Sequence, residues 1–413
     1  MTLYRLELKR VLTTKRTWIL FMLALLFSVI TAYIPVTFQY TQRIDENGNV
    51  TQLKGLDAIH DIRKQSEAIN GTVTDQKIEK VIEQYQEYFK EYEKESIYTL
   101  PAEVSYKMKP YQPFAELVLR TYENPVTNTG PDLLKLNSAK VGKFYQQYPK
   151  FFTERLKIKQ SGFPSAQKQA TNMFHKIKLP LTYYYGLNIE AFEYQSILIF
   201  LIAIFSVVIV APIFSSDYQT GADDIQRCTK YGRLCFGIVK VLSALTICIV
   251  LFSLCLLIST LITNSLFGWE STKTSVQMLH SPFTLLSINA GQLEWLNSIA
   301  SLLSLLSLIA FTLFLSSRIE STVSSLSLAL ICCFGPMILN YIIPNTFGDW
   351  IRALFPGGGI GFQTSMLYTL LEQKFLHIGN ISIWDAYMMI GASIIEIVLF
   401  LVLAVVSYCR KHA

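Results

Sequence analysis

Charge is scarce in this chain, and its reactive groups are scattered. Of 413 residues only 16% are Asp, Glu, Lys or Arg while 51% are apolar, a balance that excludes an ordinary soluble domain. No G-x-x-x-x-G-K-[ST] loop is present, so the chain has no P-loop with which to bind ATP. HExxH, GxSxG and EF-hand patterns are missing too, and His60, His175, His280, His377 and His412 are far apart. No nucleophile and base pair is therefore visible for a membrane-embedded hydrolase, and neither a metal site nor a cofactor is expected in this chain. Residues 39–191 contain no cysteine; the seven present are Cys228, Cys235, Cys248, Cys255, Cys332, Cys333 and Cys409. An exported segment without disulfides points to a bacterium, and a Gram-positive cell surface is the expectation. Cys332 and Cys333 are adjacent but have no histidine near them, which reads as buried apolar packing rather than metal chemistry.

Long apolar runs are what the chain does have. Six of them, at 18–38, 192–214, 237–266, 296–315, 322–343 and 383–408, have the roughly 20 residues needed to cross a bilayer. The first is too long for a signal peptide and has no A-x-A pattern after it, so it reads as a retained span. The expected fold class is an all-α membrane protein with six transmembrane helices and a mostly helical domain inserted between the first two.

Orientation follows from Lys and Arg, which stay on the cytoplasmic side of short loops. One set of segments carries Arg5, Lys9, Arg10, Lys15, Arg16, Arg227, Lys230, Arg233, Lys240, Arg318, Arg410 and Lys411, whereas the short loops on the other side carry only Lys273, Arg352 and Lys374. Both termini (1–17 and 409–413), the strip 215–236 and the loop 316–321 are thus expected in the cytoplasm, with 39–191, 267–295 and 344–382 outside.

From Arg43 to Glu193 there are 21 basic and 19 acidic residues, a near-neutral mixture that argues against nucleic acid as a partner. Ile78, Val81, Ile82, Tyr85, Phe89 and Tyr92 recur at helical spacing, as do Ile59, Ile62 and Ile69, with a turn at Asn70 to Thr72. Further helices are expected from Pro131 to Tyr148 and from Ser165 to Lys178. The tyrosines and phenylalanines read as this domain's own core in preference to a ligand groove.

The strip "FSSDYQTGADDIQRCTKYGR" is the most charged short stretch between two apolar runs. A helix over 216–228 would place Tyr218, Ala222 and Ile225 on one face and pair Asp223 and Asp224 with Arg227. Gly232 would stop it, and Arg233 and Lys240 would reach toward the inner headgroups. On spacing alone the strip reads as an ordinary solvated loop in preference to a docking helix.

"FSSDYQTGADDIQRCTKYGRLCFGIVK" resembles the corresponding segment of type-2 ABC transporter permeases, in which an acidic helix with a Gly is followed by a Ser/Thr-Lys/Pro-x-Gly-Arg turn and a Lys in the next helix. "LELKRVLTTKRTWILF" is similar to the amphipathic helix leading into their first span. The resemblance implies a permease paired with a second permease chain, as a homodimer or heterodimer, and docked on a separate cytoplasmic ABC ATPase that holds ATP and Mg. By position it assigns that docking to Asp217, Gly221, Asp224, Thr229, Gly232 and Arg233, with Lys240 in the following helix; Gln226, Arg227 and Cys228 depart from the pattern, and Arg227 is counted with the docking residues on its charge.

Within the spans, Glu396 is the leading functional candidate, because an unpaired carboxylate in hydrocarbon costs several kcal/mol; the alternative is a hydrogen-bonded group that locks helix packing. Ser298, Ser301, Ser304 and Ser307, three apart, read as small residues that let helices approach. Gly335 and Pro336 predict a kink in the fifth span. "FPGGGIG" at 355–361 reads as a flexible break between two short interfacial helices, before which come Trp350, Ile351 and Leu354, and after which come Met366, Leu367, Leu370 and Leu371. The function expected is a permease subunit, not itself an enzyme, of an ATP-driven exporter in the cell membrane, moving an amphipathic peptide, antibiotic or lipid, with membrane lipid as a further partner. The alternative is a sensor or immunity protein whose outer domain binds a peptide without transport.

Overall fold

The computed structural model describes residues 2–44, 50–90, 101–229 and 232–411. Tyr92, Lys230 and His412 lie outside them, as does the side chain of Arg227. Six helices among the described residues are long and apolar enough to cross a membrane.

A short helix α1 (Thr2–Leu12) leads into the first span, α2 (Lys15–Thr37). The inserted domain opens with a hairpin of β1 (Tyr40–Ile44) and β2 (Val50–Lys54), then α3 (Leu56–Ser66), β3 (Gly71–Thr72) and α4 (Asp75–Phe89). The apolar spacing noted for these helices is borne out, since Ile59, Ile62, Ile78, Val81, Ile82 and Phe89 are buried. After α5 (Ala102–Met108) and α6 (Gln112–Thr121) the chain does not enter a helix at Pro131. Instead Asn137, whose side chain accepts from the Lys140 amide, caps the single turn α7 (Ser138–Val141), and α8 (Phe144–Lys159) continues through Pro149. α9 (Pro164–Phe174) starts at the proline before Ser165 and ends short of Lys178. The domain closes with β4 (Thr182–Tyr183), which pairs antiparallel with β3.

The second span is α10 (Ile189–Val210), capped by Asn188 and, beyond its first two turns, apolar on nearly every side. Such a helix belongs at the centre of a bundle, and it is the most buried of the six. It runs into α11 (Pro212–Thr220) and, past Gly221, α12 (Ala222–Arg227). The remaining spans are α13 (Leu234–Phe267), α14 (Ala290–Arg318) and α15 (Thr322–Ile342). Then come α16 (Thr346–Ala353), α17 (Met366–Leu371), a hairpin of β5 (Phe375–Ile378) and β6 (Ile381–Trp384), and the last span α18 (Asp385–Arg410).

α14 and α18 form the most extensive helix pair. Ala300, Ser304 and Ser307 on one side and Ala392 and Ser393 on the other are buried, and small side chains permit that approach. The inserted domain has an aromatic core, as its composition implies: Phe114, Phe144, Tyr148 and Phe152 are all buried. That core is not the domain's own. It continues without a break through Phe283, Met366, Phe375, Trp384 and Met389. Tyr148 stacks on Phe283 at 5.6 Å between ring centroids and donates its hydroxyl hydrogen to the carbonyl of Pro282.

The glycine run 355–361 is packed, not flexible. Residues 357–361 are buried, and a side chain at Gly359 would collide with Ser304 and Met366. Absence of side chains is what lets this backbone abut α14. Gly335 has a similar use, since its missing Cβ leaves room for the Phe355 ring. α15 stays helical through Pro336.

Candidate functional site

The site is the end of the bundle that carries the two termini. Pro212 occupies the first turn of α11, where a missing N–H costs nothing. The Ser316 hydroxyl, from the end of α14, accepts from the amides of Phe214 and Ser215 and donates to the carbonyl of Ala211 at 2.6 Å. Tyr218 donates to the Ser317 carbonyl at 3.1 Å. These bonds fix α11 to the α14–α15 turn.

One helix over 216–228 does not form. Gly221 has φ 68° and ψ 10°, the left-handed conformation that ends α11 and redirects the chain into α12. α12 itself ends at Arg227, so Gly232 is not its stop; Gly232 is buried in the following turn, where its carbonyl accepts from the Tyr408 hydroxyl at 3.3 Å. Asp224, Thr229 and Arg233 are exposed. Ile225 is 75% exposed, a large apolar side chain at the tip of a polar strip.

Asp217, read as part of the same docking set, points the other way. It is buried, and its carboxylate binds two cations: Arg10 Nη1 at 2.6 Å and the ammonium of Lys240. Arg10 also donates to Glu7 at 2.5 Å. Lys240 is 0% exposed and does not reach for headgroups. Its ammonium donates to Asp217 and to the Ile213 carbonyl at 3.1 Å, and is ringed by Phe214, Phe236 and Tyr408 with centroids at 5.2, 5.1 and 5.8 Å. Burial works against the charge on Arg10, but Asp217 and Glu7 together outweigh it and hold that guanidinium's pKa above its ordinary value. The result is a buried ionic hub, two carboxylates and two cations, joining α1, α11 and α13.

Glu396 is buried between α14 and α18, where Ser307 donates to it at 2.5 Å. Ser304 and Ser393 meet one turn away at 3.5 Å. No ion pair to Glu396 occurs among the described residues. Of the serines spaced by three, Ser301, Ser304 and Ser307 are buried and Ser298 is partly exposed.

Several polar groups escaped the sequence reading. Glu294 is buried and accepts from Asn264 at 3.0 Å, and Asn297 donates to Gln195 at 3.3 Å, all on helices that run past the apolar windows. Arg352 and Asp385 form a buried pair at 2.5 Å that pins α16 to the start of α18. Glu7 and Arg10 were visible only as an i,i+3 pair on a short helix. The signal for the hub was Lys240 itself, a charge inside an apolar run that required a partner.

A family model described as "ABC-2 family transporter protein" matches residues 1–413. No curated protein matches the chain. With the family model spanning the whole sequence and six apolar helices in the structure, the chain is a multi-pass membrane protein that belongs to the ABC-2 transporter family.

Proposed function

We propose that this ABC-2 family member is the permease subunit of an ATP-driven exporter, with α12 as the element that docks on a separate cytoplasmic ATPase. The observation that carries the reading is the contrast within the strip. α11 is tied into the bundle through Ser316, Asp217 and Tyr218, whereas α12 offers Asp224 and Ile225 to solvent. An exposed apolar side chain beside an acidic one, on a stem fixed to several spans, suits a partner with a shaped, basic cleft. Force applied at α12 would pass through Gly221 into α11 and from there into α10, α13 and α14. In this reading both termini and α12 are cytoplasmic and the inserted domain is outside, in keeping with the distribution of Lys and Arg. The ATPase binds ATP and Mg, a second permease chain completes the assembly, and an amphipathic peptide, antibiotic or lipid is the substrate class.

The test is co-purification with a cytoplasmic ABC ATPase from the same cells. Asp224→Arg and Ile225→Asp are expected to leave the permease in the membrane and to reduce ATPase recovery at least tenfold, while Lys143→Glu in the inserted domain has no effect. Full ATPase recovery with both α12 variants would reject the docking assignment. Gly221→Trp is a poor probe, because any side chain at φ 68° strains the turn whether or not a partner is present.

A further inference from the structure

We propose that the concave space enclosed by α1, α2, α11 and the start of α15 binds the phosphate group of an anionic phospholipid. Its volume is about 370 Å³, more than ten times the ~30 Å³ share of one water. The wall includes Arg10, Arg16, Thr17, Ser216, Gln219 and Thr322, and no carboxylate lines it. A second basic cavity, about 330 Å³ beside the inserted domain, also has Arg120, Arg155 and Lys159, but Glu123 and Glu372 line it and Arg155 is already paired to Glu123 at 2.9 Å. The first has no carboxylate in its wall, and although Arg10 is paired behind that wall to Asp217 and Glu7, Arg16 is left without a carboxylate partner among the described residues.

Those donors can be followed atom by atom. Arg16 makes no hydrogen bond or ion pair among the described residues. Arg10 commits both terminal nitrogens to Glu7, Asp217 and the Ile213 carbonyl, which leaves its buried Nε without an acceptor. Gln219 accepts from Thr322 at 3.0 Å through Oε1, so its amide hydrogens remain to donate. A phosphodiester suits this set, with the Arg16 guanidinium and the Gln219 amide donating to one delocalised negative charge and the Arg10 cation, itself paired to Asp217 and Glu7, behind them. The location selects a lipid as its carrier. Trp18, Met22 and Leu26, spaced by four along α2, are 56%, 62% and 53% exposed and begin half a turn beyond Arg16. This is the depth at which a span leaves the headgroups, with an apolar strip for acyl chains next to it. Because Arg10 belongs to both the cavity wall and the ionic hub, an occupied cavity holds α1 against α11.

The inference does not rest on transport, so its test needs no ATPase. The full-length chain in zwitterionic micelles is titrated with phosphatidylglycerol, phosphatidylcholine or inorganic phosphate, and bound molecules are counted by native mass spectrometry. One phosphatidylglycerol is expected to bind in preference to phosphatidylcholine. Arg16→Gln should weaken it about fivefold, the effect of one basic residue at a membrane surface. Gln219→Glu keeps the acceptor for Thr322 but puts a negative charge in the wall, and should weaken it at least as much. Arg410→Gln, an exposed basic residue away from the cavity, should change nothing. Equal losses for Arg16→Gln and Arg410→Gln would mean diffuse surface attraction and overturn the site. Displacement of the lipid by millimolar inorganic phosphate would overturn the lipid assignment in favour of a free anion.

Discussion

Asp217 and Glu396 are both carboxylates buried among apolar helices, yet they are built differently. Asp217 sits near the end of the bundle between two cations from two other helices, and its lysine partner is enclosed by three aromatic rings. Glu396 sits near the middle of α18 and meets one serine hydroxyl across the most extensive helix pair. A charge with paired counter-charges can join elements that would otherwise separate, because removing any member strands the others. A carboxyl held by a single hydroxyl between two small-residue helices has no counter-charge whose loss would strand it. Burial alone therefore does not identify the functional acid; the partners do.

Three variants test this contrast. The largest effect is expected from Asp217→Ala, which leaves the fully buried Lys240 ammonium without a carboxylate; such a loss costs about 3–5 kcal/mol and should appear as a large fall in the thermal midpoint of the purified chain. Next, the pair Asp217→Asn with Lys240→Met removes both charges together and should recover much of that loss, since a well-packed apolar replacement of a buried pair is often neutral. A double variant as unstable as Asp217→Ala would show that the hub depends on Arg10 and Glu7 more than on Lys240. The smallest effect is expected from Glu396→Gln, which preserves shape and an acceptor for Ser307 and should shift stability by less than about 1 kcal/mol. If Glu396→Gln instead abolished transport with stability intact, the contrast would fail and Glu396 would be a working group.

How much of this was legible in the sequence depends on length and on distance along the chain. The six spans were, because an apolar run near 20 residues has few other uses. Their ends were not. α14 begins at Ala290 rather than 296 because Glu294, polar enough to end an apolar window, is buried and accepts from Asn264. α3 and α4 could be read from amphipathic spacing, but β3 and β4 are two residues each, too short for an alternating pattern to show. In the strip, a glycine in a polar stretch is compatible with a helix or a break, and only the backbone conformation of Gly221 decides. Lys240 was visible as an anomaly, but its partner lies 23 positions earlier, across that break. The run 355–361 looked mobile because glycine permits both flexibility and close approach, and what it approaches is set by α14, some fifty residues before it.

The shared aromatic core has a consequence for how the protein is made. Residues 39–191 leave the ribosome early, yet Phe283, Phe375, Trp384 and Met389, which complete the core around Tyr148 and Phe152, come from the last third of the chain. Domains elsewhere fold in order of synthesis. Here the inserted segment, although synthesised early, has an apolar face that is closed only when the loop after α13 and the hairpin before α18 are in place. A chain truncated before Trp384 is therefore expected to leave that core unfinished, which faster proteolysis of its inserted domain than in the full chain would show.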